Sequence, residues 1–173
     1  MRKILIVVDM QKDFVDGALG TPEAVAIIPS VLSEIAKYEK KDVIATRDTH
    51  LSSYLQTREG RYLPVEHCIK DTAGWEIHSA VAHALEGCRI IDKPTFGSTE
   101  LCALITEMAE NDEIEVTLIG LCTDICVVSN AMLIKAALPE IDVRVVAAAC
   151  AGVTPESHEA ALATMRMCQI DVI

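Results

Sequence analysis

The sequence predicts an α/β protein: a three-layer, doubly wound, mainly parallel sheet of five to six strands flanked by helices. Three observations carry that expectation. Short β-branched apolar runs recur along the chain, continuous rather than alternating, as in strands covered on both faces. Between them lie segments with apolar residues at helical spacing. Strands and helices therefore alternate, the pattern that builds parallel crossover units.

The first strand is read over Lys3 to Asp9, five apolar residues closed by a carboxylate. Pro22 to Lys40 follows as a helix, with Val25, Ile28, Val31, Leu32 and Ile35 on one face. Asp42 to Arg47 is the second strand. The polar stretch from Asp48 to Gly74, carrying Tyr54, Arg58, Glu59, Arg61, Glu66 and His67, is longer than an ordinary connection, and such loops are commonly functional or disordered. Arg89 to Asp92 is the third strand. Ser98 to Glu110 repeats helical spacing at Leu101, Leu104, Ile105 and Met108, with Ser98 or Thr99 as N-cap. Glu115 to Gly120 is the fourth strand, and Thr123 to Leu138 a helix stopped by Pro139. Asp142 to Ala147 is the fifth. Pro155 to Met167 is a helix capped by Thr154, with proline at its first position. Gln169 to Ile173 adds a sixth strand.

Composition bounds the function. The length fits a single domain over residues 1–173, with no linker or repeat. A formal charge of −11 excludes nucleic acid and anionic membrane surfaces as partners. Apolar residues make up 51% and aromatics 3%, so the core is aliphatic. No apolar run is long enough to span a bilayer, and Asp9 interrupts the only leader-like stretch. Seven cysteines without framework spacing read as reduced thiols, which suggests a cytoplasmic protein. The high apolar content points to a homo-oligomer.

In open α/β sheets, ligands bind beyond the carboxyl ends of the strands. The residues there are Asp9 after the first strand, Asp48 and His50 after the second, Lys93 after the third, and Gly120-Leu121-Cys122-Thr123-Asp124-Ile125-Cys126 after the fourth. Cys126 falls in the first turn of a helix, where the dipole favours thiolate and free N–H groups can receive an oxyanion. Read alone, it is more commonly a small buried hydrophobe. A nucleophilic thiol needs a base, which Asp9 supplies if its pKa is raised or it shares a proton with sulfur, and Lys93 would keep both anions tolerable. Lys93 also reads as an ordinary loop lysine. Asp48, His50 and His67 offer three ligands for zinc, iron or manganese, with Glu59 as a fourth. The D-x-H spacing is weak by itself, since any polar loop produces it. His78, His83 and His158 read as surface residues.

Taken together, Leu5 to Phe14, Thr46 to His50, Leu63 to Gly74, Lys93 to Ser98 and Gly120 to Val127 resemble, in order, the motifs of the isochorismatase-like cysteine hydrolases, and within them the nicotinamidases and pyrazinamidases. The resemblance implies a Rossmann-like fold and a catalytic triad of Asp9, Lys93 and Cys126. It implies an oxyanion hole from the backbone of Cys122 and Cys126, with a cis peptide at Leu121–Cys122. It implies that Asp48, His50 and His67 bind a divalent metal, zinc first, that contacts a pyridine nitrogen, and that Phe14, Leu63 and Phe96 wall the substrate. The implied reaction is hydrolysis of a small amide through a thioester, nicotinamide to nicotinate, a step of NAD salvage. Ile125 stands where the family often has an aromatic or histidine, and Leu63 or Pro64 replaces an aromatic, so the aromatic box is thinner.

Two other readings stay open. One keeps the cysteine chemistry on a different small amide, such as a carbamoyl or ureido compound, without a functional metal. The other is a non-catalytic binding or redox protein using Cys122 and Cys126 as a thiol pair, although thiol oxidoreductases favour two intervening residues.

Overall fold

The computed structural model describes residues 1–173. Strands β1 (Arg2–Val8), β2 (Val43–Asp48), β3 (Arg89–Lys93), β4 (Ile114–Leu121), β5 (Asp142–Ala151) and β6 (Asp171–Val172) form one sheet in the order β3-β2-β1-β4-β5-β6. Every pairing is parallel. The helices are α1 (Lys12–Val15), α2 (Pro22–Ala26), α3 (Ile28–Ile35), α4 (Arg58–Tyr62), α5 (Ser79–Ala82), α6 (Thr99–Asn111), α7 (Val128–Ala137) and α8 (Pro155–Met167). None is long and apolar enough to cross a membrane.

The period-2 geometry of β1 sorts its side chains into two cores. Ile4, Ile6 and Val8 pack with Leu101 and Ile105 of α6, Ala131 and Ile134 of α7, and Leu162 and Met165 of α8. Leu5 and Val7 face the other way, onto Phe14, Val15, Val31 and Ile35 of α1 and α3 and Val81 of α5. These are the three layers expected from strands apolar on both faces.

The chain winds outward from β1 through β2 to β3, then returns to place β4 on the opposite side of β1. The strand order thus reverses between β1 and β4, and a crevice opens at their carboxyl ends. Gly120 is what lets the two strands run side by side to that point. It pairs with Val8, its φ is +113°, and a Cβ built on it would lie 2.1 Å from the Val8 carbonyl oxygen. Gly120→Ala is therefore expected to lower unfolding free energy by roughly 2–6 kcal/mol, combining backbone strain with a steric clash. Urea denaturation measures it, and a loss within the error of the extrapolation would refute the fit described.

Several elements differ from the sequence expectation: the fifth strand runs on to Ala151 and the sixth is only Asp171–Val172. The helix read over Pro22 to Lys40 is two helices joined at Ile27, because Pro29 in the first turn of α3 has no N–H to continue the ladder of α2. The helix read from Thr123 starts as a π-helical turn, Thr123–Val127, before α7. The long polar segment holds a short helix, α4, capped by the Thr57 hydroxyl on the Gly60 amide at 3.0 Å.

Candidate active site

Three side chains converge at the crevice. Asp9 directly follows β1 and takes a left-handed conformation, φ +45°, which a residue other than glycine adopts only when its surroundings hold it there. Lys93 ends β3. Cys126 lies in the π-helical turn, four residues beyond a cis peptide at Leu121–Cys122. Asp9, Lys93 and Cys126 are 0%, 1% and 4% exposed, so these ionisable groups face one another with little water to screen them.

Lys93 Nζ is the hub. It stands 2.7 Å from Asp9 Oδ2, 3.3 Å from Cys126 Sγ, 3.1 Å from the Thr95 carbonyl oxygen and 3.6 Å from Asp48 Oδ1. Burial alone would lower the lysine pKa, but the carboxylates of Asp9 and Asp48 outweigh it and hold the ammonium charged. Burial pushes the Asp9 carboxyl up against the pull of Lys93. It also pushes the Cys126 thiol well above its ordinary value, helped by the nearby Asp9 charge. This corrects the expectation of a thiol poised as thiolate by its helix start: the desolvation of a sulfur this deeply buried outweighs the partial charge of one turn. Burial thus favours the uncharged forms of the Asp9 carboxyl and the Cys126 thiol, and the Lys93 ammonium opposes it at both.

The turn carrying Cys126 is fastened on every side. The Cys122 carbonyl accepts from the Ile125 and Val127 amides, while the Cys122 N–H makes no hydrogen bond within the protein. The Asp124 carboxylate accepts from the Val153 N–H, and Thr123 Oγ1 meets His158 Nδ1 at 2.8 Å. His158, expected at the surface, is thus partly buried against this turn. Asn130, 1% exposed, donates from Nδ2 to the Cys126 carbonyl at 2.8 Å and to the Phe96 carbonyl at 3.2 Å. Its Oδ1 accepts from the Ser98 N–H at 2.9 Å. One side chain thereby ties the nucleophile turn to the loop that follows Lys93.

Beside this trio, Asp48, His50, Glu59 and His67 offer one donor atom each within 4.8 Å of one another. His50 Nε2 lies 2.9 Å from Asp48 Oδ2 and 3.6 Å from Glu59 Oε1. His67 Nε2 lies 3.7 Å from both carboxylates. Metal bonds of roughly 2.0–2.2 Å put neighbouring donors roughly 3.0–3.6 Å apart, close to this spacing. His67 directs Nδ1 to the Val65 carbonyl oxygen at 2.8 Å, so that nitrogen donates there and Nε2 is the ring atom turned toward the cluster. His50 Nε2 and Asp48 Oδ1 are buried without a hydrogen-bond partner, the 2.9 Å approach of His50 to Asp48 being wrongly directed for one. Two imidazoles and two carboxylates around orphaned polar atoms fit a divalent cation. Gln11 locks the frame, accepting from the Asp48 N–H at 2.7 Å and donating to the Asp48 and Trp75 carbonyls at 2.8 Å each.

A cavity of about 300 Å³ opens beside Cys126 and the metal cluster. Phe14, Leu63 and Phe96, expected as substrate walls, all line it, and Leu19, Ile125 and Val153 add aliphatic surface. Its polar side chains are those of Asp48, Glu59 and His67 from the metal cluster, the two cysteines, Thr21 and Tyr62; no lysine or arginine lines it. The sequence reading missed Gln11, Thr46, Thr123 and Asn130. Asn130 left a usable signal, being an amide four residues after Cys126 on a mostly apolar helix.

The Isochorismatase domain model matches residues 3–173. A search of curated proteins finds no match. Among solved structures, the chain is similar to the pyrazinamidase of Pyrococcus horikoshii in complex with zinc, with 29% identity, TM-score 0.80, and 100% of this chain and 99% of that chain covered. It is similar to a nicotinamidase/pyrazinamidase from Bacillus subtilis, with 29% identity, TM-score 0.84, and 99% of each chain covered. A pyrazinamidase/nicotinamidase from Streptococcus mutans aligns at 25% identity and TM-score 0.82, again over 99% of both chains.

Proposed function

The chain belongs to the isochorismatase family, and from that premise we propose that it is a cysteine amidohydrolase converting a small uncharged carboxamide, nicotinamide first, to the acid and ammonia. The observation that carries the reading is the contact chain from Asp9 Oδ2 to Lys93 Nζ to Cys126 Sγ, 2.7 and 3.3 Å, which ends at a sulfur lining an apolar cavity. Its likeness to pyrazinamidase and nicotinamidase structures supports the same substrate class.

Cys126 gives its proton to Asp9 Oδ2 as sulfur attacks the amide carbon. The N–H groups of Cys122 and Cys126 receive the oxyanion. Asp9 returns the proton to the amide nitrogen, the C–N bond breaks, and ammonia leaves a thioester on Cys126. Asp9 then takes a proton from water, whose oxygen attacks the thioester; the acid departs and the sulfur recovers its proton. Lys93 stabilises the Asp9 carboxylate before each proton transfer and offsets the thiolate as it forms. Asp48, His50, Glu59 and His67 would hold a divalent ion, zinc in the first instance, which when bound supplies an electrophilic anchor for a lone pair on the substrate. Phe14 and Phe96 take the faces of a flat ring.

The cavity lining favours an uncharged amide over a carbamoyl compound that carries a free carboxylate. A substrate with a free carboxylate would meet Asp48 and Glu59 and no cation among the lining residues. Ammonia release is expected from nicotinamide and pyrazinamide, and not from N-carbamoyl amino acids. The reverse pattern would overturn the substrate class while leaving the nucleophile in place. Purified protein is expected to carry one tightly held divalent ion per chain by elemental analysis, lost on changing both His50 and His67 to Ala. Retention of the ion by that double variant would refute the ligand set.

A further inference from the structure

Asp9 is held in place from one neighbour above all. Thr46, in β2 and 0% exposed, meets it three times. The Asp9 N–H is shared between the Thr46 carbonyl oxygen at 3.2 Å and Thr46 Oγ1 at 3.3 Å. The same hydroxyl donates to Asp9 Oδ1 at 2.6 Å, a short bond of the kind made to a charged acceptor. Because Asp9 sits at φ +45°, its backbone does not fix the direction of the carboxylate as a regular strand would. The hydroxyl closes a ring from backbone N–H to side-chain oxygen and sets that direction. The consequence appears on the other oxygen. Asp9 Oδ2 is buried and accepts no hydrogen bond; Lys93 Nζ, 2.7 Å away, pairs with it by charge without lying along a hydrogen-bond direction.

We propose that Thr46 is a positioning residue that occupies Oδ1 of Asp9 and so leaves Oδ2 as the single oxygen to take the Cys126 proton. The inference rests on the amidohydrolase reading for the identity of the base, but not for its geometry. Without the hydroxyl, Oδ1 loses its donor, and the carboxylate can turn to place either oxygen, or both, against the Lys93 ammonium. The proton acceptor then competes with itself, and transfer from sulfur loses its fixed path. The methyl group of Thr46 is not needed for this, whereas simple packing in a buried strand would need it.

The test compares Thr46→Val, which keeps the shape, with Thr46→Ser, which keeps the hydroxyl, in the metal-loaded protein, with Thr46→Ala as a second hydroxyl-free variant should valine unfold. Two readouts are taken: steady-state ammonia release, and the rate at which iodoacetamide alkylates Cys126, followed by mass spectrometry of the Cys126 peptide. Thr46→Val is expected to lose about 10- to 100-fold in kcat with KM within about threefold of wild type, and to alkylate about tenfold more slowly. Thr46→Ser is expected to recover both to within about threefold. Wild-type behaviour in Thr46→Val, or equal impairment in valine and serine variants, overturns the assignment. Alkylation needs no substrate. Slowed alkylation in a protein that hydrolyses no amide would sink the amidohydrolase reading and spare this one, while unchanged alkylation in an active amidohydrolase does the opposite.

Discussion

Cys126→Ala is expected to reduce ammonia release by about 10⁴-fold or more while leaving the protein folded. The size follows from the unit to which the sulfur belongs. Removing the nucleophile strands the Asp9–Lys93 pair with nothing to deprotonate, and water in its place is neither held 3.3 Å from the ammonium nor as polarisable as sulfur. The fold survives because the side chain is small and the turn is held by its backbone and by Asn130, whose bond to residue 126 uses the carbonyl. A loss of about 1 kcal/mol for a buried sulfur is the scale expected in a melting experiment. Residual turnover within tenfold of wild type would remove Cys126 from the mechanism. So would iodoacetamide inactivation that labels another of the seven cysteines and spares this one.

Lys93→Met is expected to abolish activity and also to destabilise the protein by about 3–5 kcal/mol at neutral pH, the cost of leaving a buried charge without its partner. Methionine fills similar volume, so the effect isolates the charge. Asp9 is wholly buried and Asp48 2% exposed, and the ammonium touches both. The Asp9 carboxyl is raised by burial even with Lys93 opposing, and without the lysine it rises further. A carboxyl raised in the folded state costs nothing below its unfolded pKa, and costs stability as pH climbs from there through the folded value. The gap in unfolding free energy between wild type and variant should therefore widen from acid to neutral pH. A gap that stays constant across that range would mean the lysine acts by packing alone.

Much of the sheet was legible in the sequence because strands buried on both faces announce themselves as unbroken β-branched runs. The site's first members were legible for the same reason: Asp9 and Lys93 are charges placed where such runs stop. Short-range features were harder. Pro29 breaks a helix whose apolar spacing runs straight through it, and the last strand shrinks to Asp171–Val172. The remainder depended on distance along the chain. Thr46 and Asp9 are 37 residues apart, as are Gln11 and Asp48, and nothing local to either pair marks the contact. The sign of the Cys126 shift was misread because dipole and burial oppose each other there, and only burial requires the folded core. Glu59, already read as a fourth ligand from the sequence, is brought under the histidines by the Thr57 cap and α4.

The position of β3 carries one more consequence. It is an outermost strand, paired on a single side to β2, and Arg89, Ile90 and Asp92 are exposed along it. Asp9 and Cys126 follow β1 and β4 at the centre of the sheet, but the cation that joins them is carried by this margin. Amide-exchange protection falls away first where a ladder has one partner. Fraying at this border would withdraw Lys93 while the central strands remain paired, and if Lys93 serves the proposed chemistry, catalytic competence would then be lost before the fold.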